Sequence, residues 1–328
     1  MNKAAPFMHN YSTILFDLDG VITSEKRYWD AAVLTVYEYL NPSVSPEYAM
    51  ANRDSIRKNI FYNDKLLLYL KNKGVNSNWD LTYIILSAAL ILGVRDDFSR
   101  VYDYILRLDL DAMGLYDFFG ETGPLGKRGG KEYDNCVLVF QQWYLGDSLF
   151  GQIYRKEPRI KGKSGLCRYE EPVIALKDIT LVLKTLHGEG FTLGIGSGRV
   201  GFEAVPTLEA WDLLKYLDQD RIITYDYIIE AEKTTGEKPL TKPNPYTFIK
   251  GMLGKNYSDA DIVKSKYDKS VAKKTLVVGD AGADMFSAQA AGMDFAAVLT
   301  GISGQRAVKY FSDHKATYIL RDITKLIE

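Results

Sequence analysis

Thr13-Ile-Leu-Phe-Asp17-Leu-Asp19-Gly20 is the stretch on which the reading of this chain turns. Four apolar or β-branched residues run into a carboxylate, a leucine, a second carboxylate and a glycine. A short continuous apolar run that stops at turn-forming residues reads as a strand buried on both faces. Residues two apart in an extended chain point the same way, so Asp17 and Asp19 leave the strand end facing one site. Three later stretches repeat the pattern. Residues 191–195 stop at Gly196-Ser197-Gly198, residues 275–278 at Gly279-Asp280, and residues 295–299 at Thr300-Gly301. A helical stretch precedes the first of these, over 179–187. Such runs, alternating with helical stretches, predict a Rossmann-like α/β core with a parallel sheet.

Between residues 24 and 171 the character changes. Helical spacing is read over 28–40, 54–71, 81–92, 98–108 and 133–154, with no strand–loop–helix alternation. Val137, Phe140, Trp143 and Tyr144 recur at three-to-four spacing and predict a helical core of their own. Residues 155–168 carry six basic side chains with Gly162 and Gly165 and read as a solvated hinge returning to the sheet. The predicted organisation is a discontinuous α/β core, residues 1–23 and 172–328, interrupted by an all-helical cap domain over 24–171.

Composition removes other classes. The 328 residues are 46% hydrophobic and 25% charged, the balance of globular domains rather than disordered chains. The 41 basic side chains offset 42 acidic ones, so no basic excess points to nucleic acid. Two cysteines cannot build a disulfide framework, and three histidines leave little for histidine-based chemistry. The most apolar run, residues 83–93, is short of the ~20 residues a membrane helix needs. With no recognisable leader, a cytoplasmic protein without a membrane partner is expected, its oligomeric state left open.

Chemistry concentrates in four clusters read at the C-terminal ends of strands, where open α/β sheets hold their ligands. They are Asp17-Leu-Asp19-Gly20; Ser197-Gly198-Arg199, whose hydroxyl and backbone N–H groups suit an anion; Lys242, held ahead of a helix by Pro243 and Pro245; and Asp280 with Asp284 at a helix start. In this order the four resemble the haloacid dehalogenase (HAD) superfamily of phosphohydrolases, in the subgroup with a helical C1-type cap. The resemblance covers about residues 11–23 and 172–328. It implies Asp17 as a nucleophile forming an aspartyl-phosphate, and Asp19 as general acid and base. It implies Mg²⁺ held by Asp17, the backbone carbonyl of Asp19 and Asp280. Ser197 and Gly198 would bind phosphate, Lys242 would neutralise phosphate and nucleophile, and Asp284 would orient the lysine or complete the outer shell of the metal. Arg199 is expected to reach the substrate or the cap. The implied activity is hydrolysis of a small phosphate ester. An aspartate at position 19 speaks against dehalogenation, which needs no such acid.

Three other readings compete. A β-phosphoglucomutase-like mutase would use the same first motif. Gly196-Ser-Gly198-Arg-Val-Gly201 matches G-x-G-x-x-G and would suit NAD or FAD, but that fingerprint wants an acid about twenty residues on, ending the next strand. Asp218 and Asp220 sit in a polar turn, and Glu230, after the apolar run 227–229, comes late. A chain that only binds has no support, because each catalytic position holds a competent residue type. In the helical region Gly126-Lys127-Arg128-Gly-Gly-Lys131 is either a solvated loop or a cationic contact for an anionic substrate.

Overall fold

The computed structural model describes residues 2–75 and 77–328. The chain divides into two compact units, one of residues Met1–Ser24 and Glu171–Glu328, the other of Glu25–Glu170.

The first unit is built on one parallel sheet of six strands: β1 (Thr13–Phe16), β2 (Thr192–Gly196), β3 (Ile222–Ile223), β4 (Thr275–Gly279), β5 (Asp294–Val298) and β6 (Tyr318–Leu320). Their spatial order is β3-β2-β1-β4-β5-β6. β1 lies between β2 and β4, with Phe16 opposite both Ile195 and Val278. The order reverses between β1 and β4, the place where such sheets leave a crevice at the carboxyl ends of their strands. Side-chain alternation feeds two cores. Ile14, Phe16, Leu276 and Val278 pack on one face, Leu15 and Val277 on the other, all fully buried. β3 and β6 escape the sequence reading because they are two and three residues long. The apolar run 227–229, read as strand-like, lies inside the helix Tyr225–Thr235, with only Ile228 buried.

The chain leaves and re-enters this unit at one place. Ser24 donates its N–H to the Glu171 carbonyl at 2.9 Å and Val173 to that of Ile22 at 3.0 Å, so the two crossings are hydrogen-bonded side by side.

The second unit is helical, and its helices include Lys26–Leu40, Asn78–Leu92, Phe98–Leu108 and Lys131–Tyr154. Phe140, Trp143 and Tyr144 are buried, and the Tyr144 ring stacks on Tyr28 at 4.4 Å. Val137 is only half-buried, and Val139 takes the core position instead. The helix expected over 54–71 is two helices, Arg53–Ile60 and Lys65–Asn72, because Tyr62, Asn63 and Asp64 all adopt positive φ. A further helix, Ala112–Thr122, lies where none was read. Among the described residues no helix is long and apolar enough to cross a membrane.

The expected hinge over 155–168 is a packed part of this unit. Lys163 is buried with its Nζ 2.9 Å from Glu38 Oε2, and it donates to Gln142 Oε1 at 3.0 Å and to the Ile160 carbonyl at 3.2 Å. Asp147 accepts from the backbone N–H of Gly162 and Lys163. Gly146 and Gly165 let two backbones meet, since a Cβ on either would overlap the other segment. Basic composition reads as solvated only when each cation reaches water, and Lys163 does not. The Gly126–Lys131 loop is pinned as well. Arg128 Nε donates to the buried Asp80 at 2.8 Å, and the Gly126 carbonyl accepts from Tyr83 Oη at 2.8 Å.

Removing one partner of a buried pair strands the other charge. Lys163→Met should therefore cost about 3–5 kcal/mol of unfolding free energy in urea titrations. A loss below ~1 kcal/mol would place the pair with solvated surface bridges.

Candidate active site

Asp17 follows β1 directly and continues its ladder, its N–H donating to the Val278 carbonyl at 2.8 Å. The chain then turns back. Ile22 and Thr23 donate their N–H groups to the Leu18 carbonyl while Leu18 itself is buried. Gly20 at the tip has φ +75°, a conformation other residues adopt at a cost. A Cβ there would also overlap the Asp280 carboxylate, so this glycine is required twice over.

Asp280 follows β4, one strand away. Four residues on, Asp284 lies in the first turn of the helix Gly282–Ala291 and is 2% exposed. One carboxylate oxygen from each of Asp17, Asp280 and Asp284 lies within 4.8 Å of the others. Like charges so close need a cation, and Lys242 is one. Its Nζ donates to Asp17 Oδ1 at 2.8 Å and is 2.7 Å from Asp284 Oδ1. Asp284 Oδ2 also accepts from the Ala281 N–H at 3.2 Å, which fixes the carboxylate that fixes the lysine.

Burial, with the Asp284 carboxylate beside it, pushes Asp17 up to about 7 against the pull of Lys242. Burial also works against the Lys242 charge, but Asp17 and Asp284 outweigh it and hold the ammonium above its ordinary value.

β2 supplies the third part. Ser197 is buried, its N–H bonded to the Ile223 carbonyl of β3 and its Oγ accepting from the Arg199 N–H at 3.1 Å. Gly198 is exposed with open space around it, leaving room for an anion to approach the turn. Arg199, expected to reach outward, turns inward: its guanidinium lies on the Asp19 carboxylate. Contributors from two places in the chain carry no motif in the sequence reading. Thr300 donates its hydroxyl to the Gly20 carbonyl, and a Cβ at Gly301 would overlap Asp280 Oδ2. The signal was the end of β5, which was noted as a strand end but given no role. Thr23 is the other, donating to Asp19 Oδ1 at 3.0 Å.

The G-x-G-x-x-G stretch is accounted for differently. Gly201 opens the helix Gly201–Ala210, and its N–H is already bonded to Asp226, which also accepts from Thr224 Oγ1. Asp226 is the acid just beyond β3, and a carboxylate at that helix start occupies the position a pyrophosphate would need.

The donor set is three clustered carboxylates plus backbone carbonyls at a strand-end turn. Hard oxygen ligands of this kind suit a divalent cation such as Mg²⁺. With Asp284 committed to Lys242 and Ala281, Asp17 and Asp280 are the side chains that would hold it.

Residues 240–326 match the HAD-hydrolase-like family model. An X-ray structure of a Northeast Structural Genomics Consortium target is 29% identical, with 96% of this chain and 97% of that one covered at a TM-score of 0.75. A candidate haloacid dehalogenase-like hydrolase from Bacteroides fragilis aligns at 15% identity over 96% and 99% of the two chains, TM-score 0.49. A haloacid dehalogenase-like family hydrolase from Streptococcus pneumoniae aligns at 12% identity over 97% of each, TM-score 0.47. No curated protein matches the sequence. Residues 240–326, which carry Lys242, Asp280 and Asp284, are thus HAD-hydrolase-like.

Two outcomes test this geometry. Gly301→Ala should push Asp280 aside and weaken divalent-cation binding about 10–100-fold in calorimetric titration while the fold persists; unchanged affinity would remove Asp280 from the cation site. The second concerns pH. With Asp17 raised from 3.8 to about 7, the folded chain holds a proton that the unfolded chain has lost. That proton favours folding fully below the unfolded value, and the advantage disappears as pH climbs through the folded one. Without metal, wild type should lose stability relative to Asp17→Asn between about pH 4 and pH 7. A flat difference in thermal melts over that window would contradict the shift.

Proposed function

We propose that this chain is a Mg²⁺-dependent phosphohydrolase that cleaves a small, soluble phosphate monoester through an aspartyl-phosphate on Asp17. The observation that carries the reading is the placement of Lys242 on both Asp17 and Asp284, with Asp280 alongside and Asp19 two residues from the nucleophile. Phosphoryl transfer asks a protein for alignment and charge neutralisation, and this arrangement supplies both.

In the first half-reaction an oxygen of Asp17 attacks phosphorus, the ester P–O bond breaks, and the leaving oxygen takes a proton from Asp19. The Ser197 hydroxyl and the Gly198 N–H would meet the phosphoryl oxygens, and the Lys242 ammonium would offset charge on nucleophile and phosphate together. In the second half a water gives its proton to Asp19 and attacks phosphorus. The P–O bond to Asp17 breaks, releasing inorganic phosphate and restoring both carboxyl groups. A Mg²⁺ ion held by Asp17, Asp280 and the Asp19 carbonyl supplies the neutralisation that lets a phosphate dianion approach these carboxylates.

A panel of phosphorylated metabolites and an aryl phosphate, assayed with Mg²⁺ and with excess chelator, tests the reading. Turnover should require the metal and vanish in Asp17→Asn. Asp19→Asn should lose ~10²–10⁴-fold on alkyl esters and clearly less on the aryl ester, whose leaving group needs little protonation. Phosphate trapped on Asp17 in that variant, seen by intact mass after acid quench, would support the covalent route. Turnover that survives chelation or Asp17→Asn would overturn the reading.

A further inference from the structure

Asp19 is held by a dense set of donors. Its Oδ1 accepts from Arg199 Nε at 3.1 Å, Arg199 Nη2 at 2.5 Å and Thr23 Oγ1 at 3.0 Å. Its Oδ2 accepts from Arg199 Nε at 2.9 Å, its one donor among the described residues. Arg199 Nη2 also donates to Thr23 Oγ1 at 3.2 Å, and the Arg199 N–H to Ser197 Oγ at 3.1 Å. The Arg199 side chain is 2% exposed and the Asp19 side chain 25% exposed. A buried guanidinium thus anchors a carboxylate whose other side reaches the open part of the site.

Guanidinium is planar, permanently charged and rigid, so it fixes the plane and the distance of a carboxylate in a way an ammonium cannot. A general acid has to meet the leaving oxygen within hydrogen-bond reach, and a misplacement of about 1 Å costs on the order of 10²-fold. An aspartate in a turn beyond a strand has its own rotamers to explore. Oδ1, with three donors, has little acceptor capacity left, whereas Oδ2 has room for a proton.

We propose that Arg199 is the positioning residue of the acid–base carboxylate: its Nε and Nη2 grip Asp19 side-on, and Oδ2, which accepts from fewer donors than Oδ1, is the oxygen that handles the proton. The assignment rests on the phosphohydrolase reading above. As the ester P–O bond breaks, the proton passes from Asp19 Oδ2 to the leaving oxygen. As the P–O bond to Asp17 breaks, a proton returns to Oδ2 from the attacking water. Arg199 keeps all its protons throughout. Direct contact with the substrate, the role expected from its place beside Ser197, fits poorly with a side chain this deeply buried and turned onto Asp19.

The test compares kcat and KM on an alkyl and an aryl phosphate for wild type, Arg199→Met, Arg199→Lys, Asp19→Asn and the Arg199→Met/Asp19→Asn double variant, with folding checked by thermal melts. Arg199→Met should lower kcat on the alkyl ester about 10²-fold, much less on the aryl ester, with KM little changed. Arg199→Lys should recover part of the loss. In the Asp19→Asn background the Met substitution should add almost nothing, because its only route to the chemistry is already removed. A rise in KM common to both esters would make Arg199 a substrate contact and overturn the proposal. So would full additivity in the double variant. Should Arg199→Met not fold, Arg199→Lys carries the comparison, and wild-type kcat on the alkyl ester would overturn it. Wild type that hydrolyses neither ester brings down the phosphohydrolase reading and this assignment with it; wild-type turnover with additive losses brings down this assignment alone.

Discussion

Carboxylates crowded at the end of a buried strand repel one another, and the site depends on the ammonium of Lys242 to hold two of them together. That one cation touches Asp17, which ends β1, and Asp284, which lies a turn into the helix after β4. The sheet order makes the contact possible. β1 and β4 are neighbours although 258 residues lie between Phe16 and Thr275, and the strand order reverses between them. Everything else at the site is arranged around this pair. Asp284 is oriented by the Ala281 N–H, and Asp280 is seated between two glycines.

Those glycines show how much of the geometry is steric. Gly20 and Gly301 come from loops nearly three hundred positions apart, yet both border the Asp280 carboxylate so closely that a methyl group on either would collide with it. Thr300 ties the two loops together through the Gly20 carbonyl. The walls around the Asp280 carboxylate are therefore backbone, which cannot rotate away as a side chain would. Such walls pre-organise the carboxylate before any ligand arrives.

The helical unit follows the same rule for buried charge with no chemistry attached. Lys163 and Glu38 form a desolvated pair, stabilised by Gln142 and a backbone carbonyl, and so bind the segment 155–165 to the rest of the unit. At the candidate site the comparable pair of Lys242 and Asp17 lies at the carboxyl ends of β1 and β4, beside Asp280. Burial alone thus does not separate structural from functional ion pairs; what the pair borders does.

The sequence by itself determined the α/β class, the four polar clusters and their order. Continuous apolar runs ending in Asp, Gly and Ser are local signals, and a strand four or five residues long carries enough of them to be read. It did not reveal β3 or β6, which are too short for any periodicity, nor the break at Tyr62–Asp64, where tertiary packing overrides a helical pattern. Asp17, Asp19, Lys242, Asp280 and Asp284 could be named because each sits at a punctuated strand or helix end. What each touches could not, because Lys242 and Asp17 lie 225 positions apart and only the completed sheet brings them within 2.8 Å. The inward turn of Arg199, the burial of Lys163 and the closing of the cation site by Thr300 and Gly301 belong to the same category. Residue type and spacing carry local conformation, whereas partners distant in sequence are chosen by how the layers pack, and that choice exists only in three dimensions.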